Sequence, residues 1–427
     1  MLPQTKNVTK QSKGPEKLSG PFLSPITRHH CWIELNRAHF NSNITSLKKL
    51  VGPQRGIAAV LKSNAYSHGL VPVATLCQEN DDVTYIAVFL LSDALLLREQ
   101  GITKPIVILG GYDSPISQGI AHAIDLVVYD WHTAQEISAQ ATELKIITNV
   151  HLKVDSGLVR LGFLPEEILD VVEYLKKNPY IKFTGIYSHF AESDSQDLTF
   201  TISQLTRFQE TVDTLKAHGI AIPLVHIANT AATLRFTRAH PTQAHTQVDI
   251  PAQAPYETAL QNIMDCTTMI RCGGAIYGTY KNKLFYEQVQ AQIPDFKLQQ
   301  FLTVKSRIMC IKDVPAGMPI GYACSFVTKQ PTKVGIVSLG YFDGYDRRLS
   351  NNSVMLVGNN LMPVIGRIGM NMTALDLTGI PNVQLHDEVT ILGNHDGIRV
   401  QDLAKRIDSI DYDVFNKLNA GLTRIIV

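Results

Sequence analysis

Gly56-Ile57-Ala58-Ala59-Val60-Leu61 is a short, continuously apolar run with the length of a buried strand. A helical segment over 70–78 follows. Then comes a second apolar run, Thr84-Tyr85-Ile86-Ala87-Val88, and a helix over 92–99. The rhythm persists down the chain. Segments 105–109, 125–128, 149–154, 181–188 and 224–228 read as further strands, with helices over 133–142, 166–176 and 204–218, and Met269-Ile270-Arg271 as a last strand. Strands alternating with helices predict parallel β/α units. About eight of them over about 250 residues suit a closed (β/α)8 barrel of the TIM type, an α/β fold. An open doubly wound sheet is the alternative, but no G-x-G-x-x-G follows a strand.

Outward from the barrel the pattern changes. Residues 1–25 are polar, with no apolar core of a secretory signal, and predict a disordered tail. Cys31-Trp32-Ile33-Glu34-Leu35 alternates like a strand, and Asn36 opens a helix through Phe40, Ile44 and Leu47. Segment 236–262 carries Pro241, Pro251, Pro255 and several Gln, and reads as a surface insertion. His240 and His245 within it read as solvated side chains rather than a metal pair, and no metal is expected. After about residue 293, short alternating strands such as Val334-Gly335-Ile336-Val337-Ser338 are separated by turn residues. The expected organisation is a tail over 1–25, a barrel over 26–293 and a mostly β domain over 294–427. The strand at 31–35 is a candidate member of the β domain instead.

Composition narrows the function. Lys+Arg is 39 and Asp+Glu is 38, a net charge of +1, without the basic excess of a nucleic-acid binder. No apolar run approaches the roughly 18 residues of a membrane span, so no membrane partner is expected. Six cysteines without a C-x-x-C pair, in a chain with no secretory signal, suit free thiols in a reducing cytoplasm.

In a β/α barrel the chemistry sits at the C-terminal ends of the strands, whose loops converge on one mouth. Those ends carry Lys62, Asp155 and Arg160, His189, Asn229-Thr230, and Arg271 followed by Gly273-Gly274. A lysine at a buried strand end must be paired, neutral or covalently used. It could pair with a neighbouring carboxylate, or form a Schiff base to an aldehyde such as pyridoxal phosphate. Gly273-Gly274, Thr230 and a nearby tyrosine would suit the phosphate, as bare N–H groups plus hydroxyls.

Here the sequence resembles a family. Val60-Leu61-Lys62-Ser63-Asn64-Ala65-Tyr66-Ser67-His68-Gly69 is similar to the cofactor-lysine signature of the pyridoxal-phosphate-dependent alanine racemases, of fold type III. The likeness continues through Lys153-Val154-Asp155-Ser156-Gly157-Leu158-Val159-Arg160, Ser188-His189-Phe190-Ala191, His226-Ile227-Ala228-Asn229-Thr230-Ala231 and Arg271-Cys272-Gly273. In the β domain Gly321-Tyr322, Gly340-Tyr341-Phe342-Asp343-Gly344, Gly366-Arg367-Ile368-Gly369-Met370 and Tyr412-Asp413-Val414 also fit, in family order.

The resemblance implies a cytoplasmic homodimer with shared active sites, interconverting L- and D-alanine and supplying D-alanine for peptidoglycan. It implies pyridoxal 5'-phosphate as cofactor. Lys62 would hold it and act as one base, with Tyr322 as the opposite base. Tyr66, Asn229, Thr230, Gly273, Gly274 and Tyr412 would bind it, most of them at the phosphate. Arg160 would meet its phenolic oxygen and also the substrate, and Arg271 its pyridine nitrogen. His189 would bridge Arg271 and the Tyr322 region. Met370 would offer an N–H to the substrate carboxylate, and Tyr341 would line the entrance. Lys153 matches a position that is carbamylated in some members. Rival readings are racemisation of another small amino acid such as serine, decarboxylation of a basic amino acid, and cofactor carriage without catalysis. This chain departs from the family pattern at Thr230, where Ser is usual, and at Gly274, Cys272 and Phe326. It departs also at Asn371, where an acid is usual beside the implied carboxylate site.

Overall fold

The computed structural model describes residues 30–236, 267–280 and 283–427. The expected tail and nearly all of the expected insertion, with His240 and His245, lie outside the described residues.

Strand β1 (Cys31–Leu35) leads into a helix, Arg37–Val51. Asn36 caps that helix by accepting from the His39 N–H at 2.9 Å, and losing such a cap costs about 1 kcal/mol. The helix buries Phe40, Ile44, Leu47 and Leu50, which recur at helical spacing and so share one face. Eight parallel strands follow: β2 (Gly56–Val60), β3 (Val83–Val88), β4 (Ile106–Ile108), β5 (Leu126–Val128), β6 (Thr148–Lys153), β7 (Ile181–Tyr187), β8 (Leu224–His226) and β9 (Met269–Cys272). They form two four-stranded sheets, β4-β3-β2-β9 and β5-β6-β7-β8.

Backbone hydrogen bonds close the two seams into a barrel. At one seam, Ile108 N–H donates to Asp125 O at 3.1 Å and Asp125 N–H to Ile106 O at 2.9 Å. At the other, Thr268 N–H donates to Val225 O at 2.9 Å and Arg271 N–H to Ala228 O at 3.0 Å. The (β/α)8 expectation therefore holds. The strands read as unbroken apolar runs because one side faces the barrel interior and the other the helices.

Several described helices were not expected, Thr230–Phe236 and Lys283–Gln292 among them, and two differences are instructive. Ile116–Ala121 is helical, but six residues with Gly119 inside carry too little periodicity to read. The helix expected over 204–218 begins at Thr199. Its first turns are rich in Thr, which lowers intrinsic propensity, and tertiary contacts override that. Buried Gln204 accepts from Ala191 N–H at 2.9 Å and donates to His189 O at 3.3 Å, holding the loop after β7.

The second domain is an eight-stranded sheet. Its long strand β10 (Leu302–Val314) pairs antiparallel with β1, Ile33 opposite Val304. On its other side β1 pairs parallel with the last strand, Thr423–Ile426. Strand 31–35 thus belongs to the β sheet by hydrogen bonding, and it buries Trp32, Ile33 and Leu35 completely. Each such side chain contributes roughly 1.5–3 kcal/mol on burial.

Candidate active site

The barrel mouth encloses a cavity of about 630 Å³, within the range of small-molecule sites. Lys62 enters it from the end of β2 on an unusual backbone. Ser63, Asn64, Ala65, Tyr66 and Ser67 all have φ between 52° and 60°, a left-handed turn. The turn swings Lys62 into the cavity and lays Tyr66 against Gly273. Burial, followed by the charges of Arg160 and Arg271, lowers the Lys62 ammonium pKa. Its tip opens to the cavity, so it is desolvated by protein yet reachable by a small molecule.

Glycines make the facing wall. A Cβ on Gly273 would overlap the Tyr66 hydroxyl, and one on Gly274 the Tyr412 hydroxyl. Only bare backbone allows two phenols to converge there. Thr230 begins the helix Thr230–Phe236 beside them, and its Oγ1 accepts from Ala275 N–H at 3.4 Å. Hydroxyls and open backbone around one corner suit a phosphate.

Arg271, on β9, is buried and held rigidly. It donates to His226 Nδ1 at 2.8 Å, to His226 O at 2.6 Å, to Ser188 O at 2.7 Å and to His189 Nδ1 at 3.2 Å. Burial, then Arg271 and the other cations of the site, pushes the His189 imidazole far below its ordinary range, so it accepts from Arg271 as a neutral ring. Lys153 is buried with its ammonium 4.4 Å from the Tyr187 ring centroid. Burial, with Arg271 and Arg160 nearby, lowers its pKa to about 7. Arg160 sits on a loop fixed by Asp155, whose carboxylate accepts from the N–H groups of Gly157, Val159 and Arg160 at 2.9–3.0 Å.

The structure brings Lys62, Tyr66, Lys153, Arg160, His189 and Arg271 to this cavity, and with them Asn229, Thr230, Gly273, Gly274 and Tyr412. Asn229 lines it, but its side-chain oxygen accepts from Ser193 Oγ at 3.0 Å and Ala232 N–H at 2.9 Å, which caps the following helix. Tyr322, Tyr341 and Met370 do not line the cavity of their own chain. They gather elsewhere on the β domain. Tyr341 N–H donates to Gly369 O at 3.1 Å, and Tyr322 lies beside Gly369. Tyr322 is 70 % exposed and Met370 54 %. Sequence reasoning missed Tyr187, Asp125 and the roles of His151 and His226, all buried polar groups on or beside barrel strands. Their signal was a polar residue inside an apolar strand, which names no partner. The donor set fits a phosphorylated aldehyde: an amine of lowered pKa, a hydroxyl-and-glycine corner, and a fixed guanidinium.

Residues 35–248 match the alanine racemase N-terminal domain family and residues 301–426 the alanine racemase C-terminal domain family. The alanine racemase of Methanococcus maripaludis is 33 % identical over 405 residues, 94 % of this chain and 99 % of that protein. That of Desulforamulus reducens is 34 % identical over 400 residues, 93 % and 98 %. Among solved structures, Clostridium difficile 630 alanine racemase superposes with TM-score 0.80 at 28 % identity, covering 93 % of this chain and 96 % of that one. Bacillus anthracis alanine racemase with bound L-Ala-P gives TM-score 0.77 at 28 % identity, covering 96 % of each. With both family models matched and relatives more than 30 % identical along more than nine-tenths of its length, the chain belongs to the alanine racemase family.

Proposed function

We propose that the protein is an alanine racemase that interconverts L- and D-alanine with pyridoxal 5'-phosphate and supplies D-alanine for peptidoglycan. The observation that carries this reading is the convergence of Lys62, Arg160, Arg271 and the Tyr66–Gly273–Gly274–Tyr412 corner on one cavity. Lys62 would hold the cofactor covalently. Tyr66, Thr230, Tyr412 and the backbone at Gly273 and Gly274 would hold its phosphate, and Arg271 would face its ring nitrogen. When bound, pyridoxal phosphate acidifies the Cα–H of the attached amino acid.

The residues then divide the work. Racemisation needs a proton-transfer group on each face of Cα. Lys62 Nζ, with its lowered pKa, takes or returns the proton on one face. The other face needs a second group, and Tyr322 supplies it from a second copy of the chain, because it does not line its own chain's cavity. This reading makes the protein a homodimer with shared sites. Met370 and Tyr341 arrive with Tyr322, at the substrate carboxylate and the entrance. Arg271 donates and never accepts, so a ring nitrogen facing it stays unprotonated. Lys153, with a pKa near 7, is substantially a neutral amine at neutral pH. That form adds carbon dioxide with loss of a proton, and the resulting carbamate would offset the charges of Arg160 and Arg271. Among the described residues no helix is long and apolar enough to cross a membrane. Cys31, Cys77, Cys272, Cys310 and Cys324 are free thiols, which supports a reducing cytoplasm.

The test is a chiral assay with L-alanine and pyridoxal phosphate. D-alanine should form, and borohydride should fix the cofactor on Lys62. Absence of D-alanine, with serine racemised or carbon dioxide released from a basic amino acid, would overturn the reading.

A further inference from the structure

We propose that Asp125 and His151 are positioning residues for the racemisation proposed above, acting through His226 to set the proton pattern that holds Arg271 in place. The inference rests on that reading for its catalytic consequence, though not for its wiring.

Four buried side chains form one line across the barrel interior. Asp125 precedes β5, His151 lies in β6, His226 ends β8 and Arg271 lies in β9. None is more than 4 % exposed. Asp125 Oδ2 lies 3.2 Å from His151 Nε2, His151 Nδ1 lies 3.0 Å from His226 Nε2, and His226 Nδ1 lies 2.8 Å from Arg271 Nη1.

Every proton on this line is determined from both ends. A guanidinium has five N–H donors and no acceptor, so His226 Nδ1 must accept. The neutral ring then carries its proton on Nε2 and donates to His151 Nδ1. His151 therefore carries its proton on Nε2 and donates to Asp125. Started from the other end, a carboxylate that only accepts demands the same assignment. Reversal of either ring alone would bring two N–H groups face to face at one of its contacts and two lone pairs at the other. The Asp125 carboxylate is itself anchored, accepting from Asn149 Nδ2 at 2.9 Å and Tyr85 Oη at 3.2 Å.

The backbone is shaped around this line. The His151 ring lies against Gly185 of β7, where a Cβ would overlap it. The β6–β7 register shifts at that point, between Val150 and His151, a bulge of the kind that re-aims a side chain. Tyr187, also on β7, stacks on His226 with ring centroids 4.9 Å apart and planes at 9°. Burial, then the charge of Arg271, drives the His226 pKa far below its ordinary range. His226 therefore stays a neutral acceptor rather than a second cation. The line thus gives a buried guanidinium an oriented ring acceptor at His226 Nδ1, beside the His226 and Ser188 carbonyls and His189 Nδ1 that take its other Nη donors.

The test uses the holoenzyme with ¹⁵N-labelled histidine. Long-range proton–nitrogen correlation should show His151 and His226 neutral, each with its proton on Nε2. A proton on Nδ1 of either ring in the wild type overturns the proposal, and this measurement needs no variant. Asp125→Asn removes the acceptor-only end. It should shift the proton pattern of at least one ring and alter the absorption of the bound pyridoxal phosphate. It should also lower kcat about ten- to hundredfold, with KM nearly unchanged, as loss of outer partners does elsewhere. Unchanged rings, spectrum and kcat in a folded Asp125→Asn overturn it as well. If the rings are as assigned but the wild type forms no D-alanine, the functional reading fails while the wiring stands.

Discussion

The two proposed bases sit on similar backbone kinks in opposite surroundings. Lys62 opens a run of five left-handed residues. Left-handed backbone costs roughly 1–2 kcal/mol per non-glycine residue, so this turn persists only because other contacts outweigh the strain. Asn64 Oδ1 accepts from Leu70 N–H at 2.8 Å, and Arg424 donates to Ser67 O at 3.0 Å. His68 packs in a box made by Tyr277, Phe301 and Phe415, at centroid distances of 4.6–4.9 Å. Phe301, Phe415 and Arg424 follow the barrel in sequence, so the chain's C-terminal part clamps its own lysine. Tyr322 also precedes left-handed residues, Ala323 and Cys324. It lies between two two-residue strands, Pro319–Ile320 and Phe326–Val327. Its neighbours Phe342, Met370 and Met372 are more than half exposed. One half of the site is finished within the chain. The other half presents strained backbone and apolar surface outward, which a second copy would cover.

The largest effect tests that division. Lys62→Ala and Tyr322→Phe should each lose about 10²–10⁴-fold in racemisation, the range of general acid–base groups. Unfolded and refolded together in equal amounts, they should regain roughly a quarter of wild-type activity. Half the dimers are then mixed, and one of each pair of sites is intact. No recovery, with mixed dimers demonstrated, breaks the comparison, because both bases would then serve one chain.

A second test exploits the buried cations on the lysine side. Lys153 has its pKa lowered from 10.5 to about 7 in the fold. Between those values the unfolded chain binds more protons, so stability rises with pH. The gain is up to about 1.4 kcal/mol per pH unit from this group. Below pH 7 the lysine is charged in both states and the full burial penalty remains. Lys153→Met in carbon-dioxide-free buffer should flatten the rise. Denaturant midpoints against pH measure it, and an unchanged slope removes Lys153 as its source.

Next is the clamp. Arg424→Ala should destabilise the fold by about 1–3 kcal/mol through lost, partly buried hydrogen bonds to the Ser67 and Asn419 carbonyls, and weaken cofactor retention in parallel. A stability loss with full retention would show that the turn holds without it.

The smallest effect compares the kinks directly. Glycine relieves left-handed strain at either place. Ala323→Gly, beside an exposed tyrosine, should stabilise by up to about 1 kcal/mol. Ala65→Gly should not, because Ala65 is fully buried and losing its methyl forfeits about 0.8 kcal/mol of burial. Equal shifts in denaturant midpoint would mean that burial does not separate the two turns.

The barrel was legible because its information is local. Each strand is a run of apolar residues in one stretch of chain, and β/α geometry sends every strand end to the same mouth. Lys62, Arg160, His189, Arg271 and the Gly273-Gly274 pair could therefore be placed together from sequence alone. The sheet that receives β1 was not settled, since alternation in Cys31–Leu35 marks a strand without naming partners that lie some 270 and 390 positions onward at 302–306 and 423–426. The left-handed turn was invisible too. Lys62-Ser63-Asn64-Ala65-Tyr66-Ser67 holds no glycine, and contacts from distant residues such as Arg424 and Phe415 join local ones in outweighing its strain. The Asp125–His151–His226–Arg271 line and the exclusion of Tyr322 from its own chain's cavity were likewise decided in three dimensions. Local residue preference determines which side chains exist at each strand end. Which of them meet, and with which proton, depends on packing between segments far apart in the chain.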